Sequence, residues 1–187
     1  MWVPSLIRVN GKEEVLPTGL VFSTFMLAMT FGGMLFSLLL PIFPGGAEGL
    51  TVFVYITAAL SMLIPVFKFE FWWVFGAFLV LEMMVGMFNS CGATLRSRYY
   101  PENIQSSIMS VFRLPLNLFV VFGTKLADQA NDVPTLQTVF IVIAGMHFIA
   151  FILQIALQSY SQELKNKNKN IVRDDTNVKA SMDKKSD

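Results

Sequence analysis

Four polar side chains inside otherwise apolar stretches are the residues of this sequence that could bind or move a solute. Glu82 and Asn89 are seven residues apart, and Arg113 and Asn117 are four apart, so on helices each pair shares one face. Ionisable groups are costly inside a membrane, which makes each one a candidate for function. Arginine with amide donors could bind an anion, while Glu82 could hold the arginine or carry a proton. The same residues also allow a purely structural ion pair between Glu82 and Arg113.

The composition indicates a membrane environment for these side chains. The 187 residues are 54% hydrophobic and 14% charged, with a mean hydropathy of +0.57. A soluble domain is about a quarter charged. A net charge of +1 argues against a nucleic-acid partner, which requires a basic face. The single cysteine, Cys91, excludes an internal disulfide framework and a multi-cysteine metal site.

Five apolar runs are long enough to cross a hydrocarbon core of about 30 Å, and lipid requires such spans to be helices. We therefore predict an all-α integral membrane protein with spans at about 19–40, 50–67, 71–95, 108–125 and 135–160. The predicted connectors are 41–49, 68–70, 96–107 and 126–134. Residues 161–187 are polar without hydrophobic periodicity, so we predict a disordered tail.

Three features within the spans have structural readings. Pro115 should kink or break the fourth span near its start, as in discontinuous transporter helices or as an ordinary membrane proline. Gly32 and Gly33 would permit close helix approach. His147 has no cysteine or carboxylate at the spacing of metal ligands, so we interpret it as a packing histidine. We find no phosphate-binding glycine loop, zinc signature or nucleophile elbow, so we predict no catalytic residue, metal or cofactor.

The distribution of lysine and arginine predicts the orientation. One side of the membrane would hold four of them, and the other would hold Arg96, Arg98 and seven in the tail. Because positive residues favour the cytoplasmic side, we expect a cytoplasmic C-terminus. The odd number of spans and the abrupt start suggest that the chain is a fragment.

Two blocks carry a family resemblance. Residues 95–102 (LRSRYYPE) and 107–117 (SIMSVFRLPLN) resemble the molybdate-anion transporter family of the major facilitator superfamily. Residues 17–26 resemble that family's eighth helix, and residues 82–87 resemble its tenth. The resemblance covers roughly residues 2–160. The superfamily's basic signature between helices eight and nine is missing from residues 41–49.

The resemblance implies a twelve-helix carrier of two six-helix halves, with substrate bound between them at mid-membrane. Residues 1–18 would hold the non-cytoplasmic end of helix seven and a loop. Residues 19–160 would hold helices eight to twelve, and residues 161–187 the disordered cytoplasmic tail. The third and fourth spans would face the cavity, which makes Arg113, Asn117, Glu82 and Asn89 the substrate-binding residues.

The resemblance thus implies a secondary carrier and not an enzyme, for a small oxyanion and foremost molybdate. The expected partners are the lipid bilayer, molybdate or a similar oxyanion, and the missing N-terminal half, with the plasma membrane as location. Two alternatives stay open. One is a major facilitator carrier of another anion or solute, and the other is a non-transporting membrane scaffold subunit.

Overall fold

The computed structural model describes residues 2–10, 16–101, 103–129 and 132–183. These residues form six α-helices: α1 Trp2–Asn10, α2 Thr18–Leu39, α3 Ala47–Phe67, α4 Phe71–Tyr99, α5 Gln105–Gln129 and α6 Val133–Asp183. Parts of the predicted terminal segments, namely residues 1, 11–15 and 184–187, lie outside the described residues.

Five of the helices are long and apolar enough to cross a bilayer, which confirms the predicted all-α membrane class. The stretches are Thr18–Leu39, Ala47–Phe67, Phe71–Tyr99, Gln105–Lys125 and Val133–Ile171. Each overlaps one predicted span. A run of about 20 apolar residues satisfies every backbone group within the helix itself, so the sequence leaves little choice of secondary structure here.

Helix ends differ from the predicted connectors. The loop expected at 96–107 is much shorter, because α4 continues to Tyr99 and α5 begins at Gln105. Arg96 and Arg98 therefore lie in the last turn of α4, where cations interact favourably with the helix dipole. Pro115 lies inside a continuous α5 and does not break it.

The predicted tail also differs. Residues 161–183 continue α6 as helix, whereas the sequence predicted disorder. Extension of an existing helix needs no new nucleation, so a polar segment can follow an apolar span without a break.

Helices α2, α3, α4 and α6 pack into a layer in which α4 contacts α2 and α3, and α3 contacts α6. One buried cluster lies towards α1 and includes Phe25, Phe78 and Phe140. A second cluster lies between α3 and α4 and includes Leu50, Met87 and Cys91. By contrast, every described side chain of α5 from residue 110 to 125 is exposed.

The contact between α2 and α4 depends on two glycines. A Cβ on Gly32 would collide with the carbonyl of Met83, and one on Gly86 would collide with the carbonyl of Met29. The predicted close approach at Gly32 is confirmed. Gly33 is looser, since a Cβ there would meet its nearest atom at 3.8 Å.

Aromatic side chains mark the end of the layer where α3 meets α4. Trp72 is 77% exposed, and the ammonium of Lys68 lies 4.5 Å from the centre of the Trp73 ring. Tryptophans favour the membrane–water interface. Arg96 lies 24 residues after Trp72 on α4. This separation is about 36 Å of helix, which is enough to reach the opposite interface.

Candidate functional site

Glu82 and Asn89 lie on one side of α4. Glu82 is half-buried and Asn89 is exposed. Val85, which lies one turn from each of them, is 36% exposed. This side of α4 is therefore open, and it presents a carboxyl and an amide about 10 Å apart along the helix axis.

Arg113 and Asn117 are both exposed on α5, one turn apart. Because α5 begins at Gln105 and not near residue 108, Arg113 lies eight residues from the helix start. That separation is about 12 Å, more than two turns. Within the apolar stretch Gln105–Lys125, Arg113 is therefore the ninth of 21 residues.

The structure does not join the two pairs. Among the described residues, no hydrogen bond or ion pair links Glu82 or Asn89 to Arg113 or Asn117. The structural ion pair between Glu82 and Arg113 is thus not formed in this arrangement. Two polar faces, one on α4 and one on α5, are left open to whatever surrounds the chain.

A groove of about 420 Å³ lies between α2 and α4. Its lining is apolar except for the hydroxyl of Thr24. The lining residues are Thr24, Leu27, Ala28, Phe31, Leu79, Val80 and Met83. The Thr24 hydroxyl donates to the carbonyl of Leu20 at 2.9 Å. The groove therefore offers no unengaged side-chain donor to an anion, and neither Glu82 nor Asn89 lines it.

The most extensive polar cluster in the described residues surrounds Glu48, which the sequence analysis did not select. Its side chain is 1% exposed. Nη1 of Arg98 donates to Oε1 at 2.6 Å and to Oε2 at 2.8 Å. The Tyr99 and Ser161 hydroxyls donate to Oε1 at 3.0 and 3.2 Å, and Nζ of Lys165 lies 3.5 Å from it. One carboxylate thus joins α3, α4 and α6.

Local structure places Glu48 at this junction. Gly45 and Gly46 adopt positive φ values of 89° and 66°, which other residues rarely tolerate, and the turn delivers the chain into α3. Glu48 then occupies the first turn of α3, where a negative charge interacts favourably with the helix dipole. The side-chain amide of Gln154 donates to the Glu48 carbonyl at 3.2 Å.

A family model, Major Facilitator Superfamily, matches residues 13–179. The chain belongs to the major facilitator superfamily. Comparison with curated proteins and with solved structures finds no match. Superfamily membership, together with the five apolar helices, makes this a multi-pass membrane protein of a transporter family.

Within this superfamily chain, the Glu48 cluster joins the start of the α3 span, the end of the α4 span and the last part of the α6 span. Arg98 and Lys165 reach it from partly exposed positions, with 44% and 56% of their side chains accessible. Removal of Arg98 would leave the buried Glu48 charge largely uncompensated, at a cost of about 2–4 kcal/mol. The cluster therefore fixes the ends of α3 and α4 against α6.

His147 has the local partner expected of a packing residue. Its Nδ1 lies 2.8 Å from the carbonyl of Ile143, one turn earlier on α6. No group of three or more potential metal ligands occurs in the part of the chain that the structure describes.

Proposed function

We propose that this chain is the C-terminal half of a secondary carrier for a small oxyanion, with molybdate as the foremost substrate. In this proposal α2 to α6 correspond to helices eight to twelve of a twelve-helix carrier. The C-terminus lies in the cytoplasm, and the protein resides in the plasma membrane. The observation that carries the proposal is Arg113, an arginine near the middle of the apolar stretch Gln105–Lys125 and without a carboxylate partner among the described residues.

The exposure of α5 supports an incomplete assembly. Arg113 and Asn117 would otherwise face hydrocarbon, which is unfavourable for a guanidinium by several kcal/mol. A second six-helix half would cover α5 and the Glu82 side of α4 together. Substrate would then bind in the polar space between the halves, at mid-membrane.

The four residues suit an oxyanion chemically. Molybdate carries two negative charges and four acceptor oxygens. The guanidinium of Arg113 presents a planar fork of N–H donors, and the Asn117 and Asn89 amides add neutral donors. Glu82 would repel a dianion when ionised. Protonation of Glu82 on substrate entry would remove that repulsion and couple anion movement to a proton.

Uptake measurements on the full-length protein test the proposal. Cells that express it should accumulate labelled molybdate. Unlabelled molybdate should inhibit that uptake more strongly than sulfate or phosphate does. Absence of uptake for every oxyanion tested, with the protein present in the plasma membrane, would contradict the carrier proposal and favour the scaffold alternative.

A second candidate, a carrier of an organic anion, is favoured by the apolar neighbours of Arg113. Leu116 and Val120 lie on the same side of α5, one and two turns along, and are 60% and 56% exposed. These side chains could pack against the carbon skeleton of an amphipathic anion, which molybdate lacks. Inhibition of molybdate uptake by monocarboxylates, rising with chain length, would indicate this second candidate.

A further inference from the structure

The helix that leaves the layer beyond the Glu48 cluster is strongly basic near the membrane. Residues 161–173 contain four cations and one acid, Glu163. Residues 174–187 contain three lysines and four aspartates, so the positive excess is confined to the membrane-proximal part. The basic residues are Lys165, Lys167, Lys169 and Arg173, all exposed.

These cations are arranged by the helix. Lys165, Lys169 and Arg173 are spaced by four residues and lie one above another on one side of α6. Nζ of Lys165 lies 3.5 Å from the Glu48 carboxylate, which fixes the start of this row beside the first turn of α3. Among the described side chains, no ion pair engages Lys167, Lys169 or Arg173.

If Lys165 marks the start of the headgroup layer, Lys169 lies within that layer and Arg173 lies within one Debye length beyond it. From Lys165, Lys169 is about 6 Å and Arg173 about 12 Å further along the helix. The headgroup layer is roughly 5–8 Å thick on each side, and the Debye length is about 8 Å. At the start of the row, Arg98 on α4 and Lys165 both contact the single Glu48 carboxylate, so this cluster keeps one net positive charge.

The outer side of α6 gives lipid access to this row. Phe148 and Ile155, which lie about seven and five turns before Arg173 on the same side of α6, are 50% and 41% exposed. Acyl chains can therefore reach the span itself, and their headgroups can reach the cations that follow it.

We infer that residues 165–173 of α6 form a docking surface for anionic lipid headgroups of the adjacent leaflet. This membrane-proximal basic row, Lys165 to Arg173, recruits lipids such as phosphatidylserine. The attraction is electrostatic, and each cation near an anionic surface contributes about 1 kcal/mol, which is about fivefold in local lipid occupancy. The inference needs only the membrane setting of the chain and is independent of any transported substrate.

Lipid retention by the purified full chain tests this inference. The protein is reconstituted in vesicles of equal parts phosphatidylcholine and phosphatidylserine, extracted in mild detergent, and analysed for bound lipid. We expect phosphatidylserine to exceed phosphatidylcholine several-fold. Replacement of Lys167, Lys169 and Arg173 by Gln should bring the ratio close to that of the vesicle.

A matched control lies in the same tail. Replacement of Lys179, Lys184 and Lys185 by Gln removes the same charge from the segment without a positive excess, and the lipid ratio should stay at the wild-type value. Equal loss in both triple variants, or no enrichment in the wild type, would overturn the inference. Salt gives a check that needs no variant: enrichment should fall as ionic strength rises, and persistence at high salt would also overturn it.

Discussion

Arg98 and Glu48 are 50 residues apart in sequence, yet Nη1 of the arginine contacts both carboxylate oxygens, at 2.6 and 2.8 Å. This contact ties the end of α4 to the start of α3, and Ser161 and Lys165 extend it to α6. The two partners are unequal, because Glu48 is buried and Arg98 is partly exposed. This difference in exposure determines how strongly a substitution at each residue should destabilise the protein.

Arg98→Ala should destabilise the protein more than Glu48→Gln. Loss of the arginine leaves a buried carboxylate with only hydroxyls and a longer lysine contact, at a cost of about 2–4 kcal/mol. In Glu48→Gln the amide stays hydrogen-bonded and the freed cations can turn to water, so the cost should be about 1 kcal/mol. Thermal unfolding in detergent measures both. Arg96→Ala is the control, since Arg96 makes no hydrogen bond to Glu48 in the structure. An equal or larger loss in Glu48→Gln would contradict the assigned asymmetry.

Gly32→Ala should disrupt the contact between α2 and α4, whereas Gly33→Ala should be tolerated. The new methyl at Gly32 meets a backbone carbonyl, which cannot turn away, so the helices must separate at a cost of about 1–3 kcal/mol or more. At Gly33 the nearest atom is 3.8 Å from the new carbon, an ordinary contact. We would measure the melting temperatures of the two variants, which differ only in which of two adjacent glycines is replaced. Similar melting temperatures would contradict the close contact between α2 and α4 at Gly32.

Asp132 should make the start of α6 sensitive to acid. The Thr135 hydroxyl donates to Oδ1 at 2.5 Å and holds the pKa of the Asp132 carboxyl below its usual value of 3.8, with Arg8 adding a favourable charge. A lowered pKa contributes stability above 3.8 that is lost as the pH falls through the folded-state value. The difference in melting temperature between wild type and Asp132→Ala should therefore be constant at neutral pH and shrink below about pH 4. Thr135→Val should reduce this pH dependence. A melting-temperature difference between wild type and Asp132→Ala that grows in acid would contradict the lowered pKa of Asp132.

The five spans and several packing features could be predicted from sequence because they depend on local patterns. A run of apolar residues near 20 defines a membrane helix by itself, and paired glycines indicate close approach. The predicted helix ends are less accurate: the sequence predicts Arg96 and Arg98 in a loop, but they lie in an added last turn of α4.

The Glu48 cluster could not be read from any local pattern. Glu48 contacts residues 50, 113 and 117 positions away, and in sequence it appears as one acid in a glycine-rich connector. A weak signal was present: Gln154, Ser161 and Lys165 follow one another at helical spacing on the last span. The residues proposed to bind substrate pose the opposite problem. Their sequence pattern is clear, but the partner surfaces that would complete the site lie outside this chain in the proposed architecture.

The central claim, oxyanion transport through Arg113, is tested most directly by molybdate uptake in the full-length protein and its Arg113→Ala variant. Arg113→Lys serves as a second variant, since it keeps the charge but loses the planar fork of donors. With membrane insertion shown to be equal, we predict that Arg113→Ala abolishes saturable uptake and that Arg113→Lys reduces it at least tenfold. Wild-type uptake by Arg113→Ala would contradict the role given to this arginine.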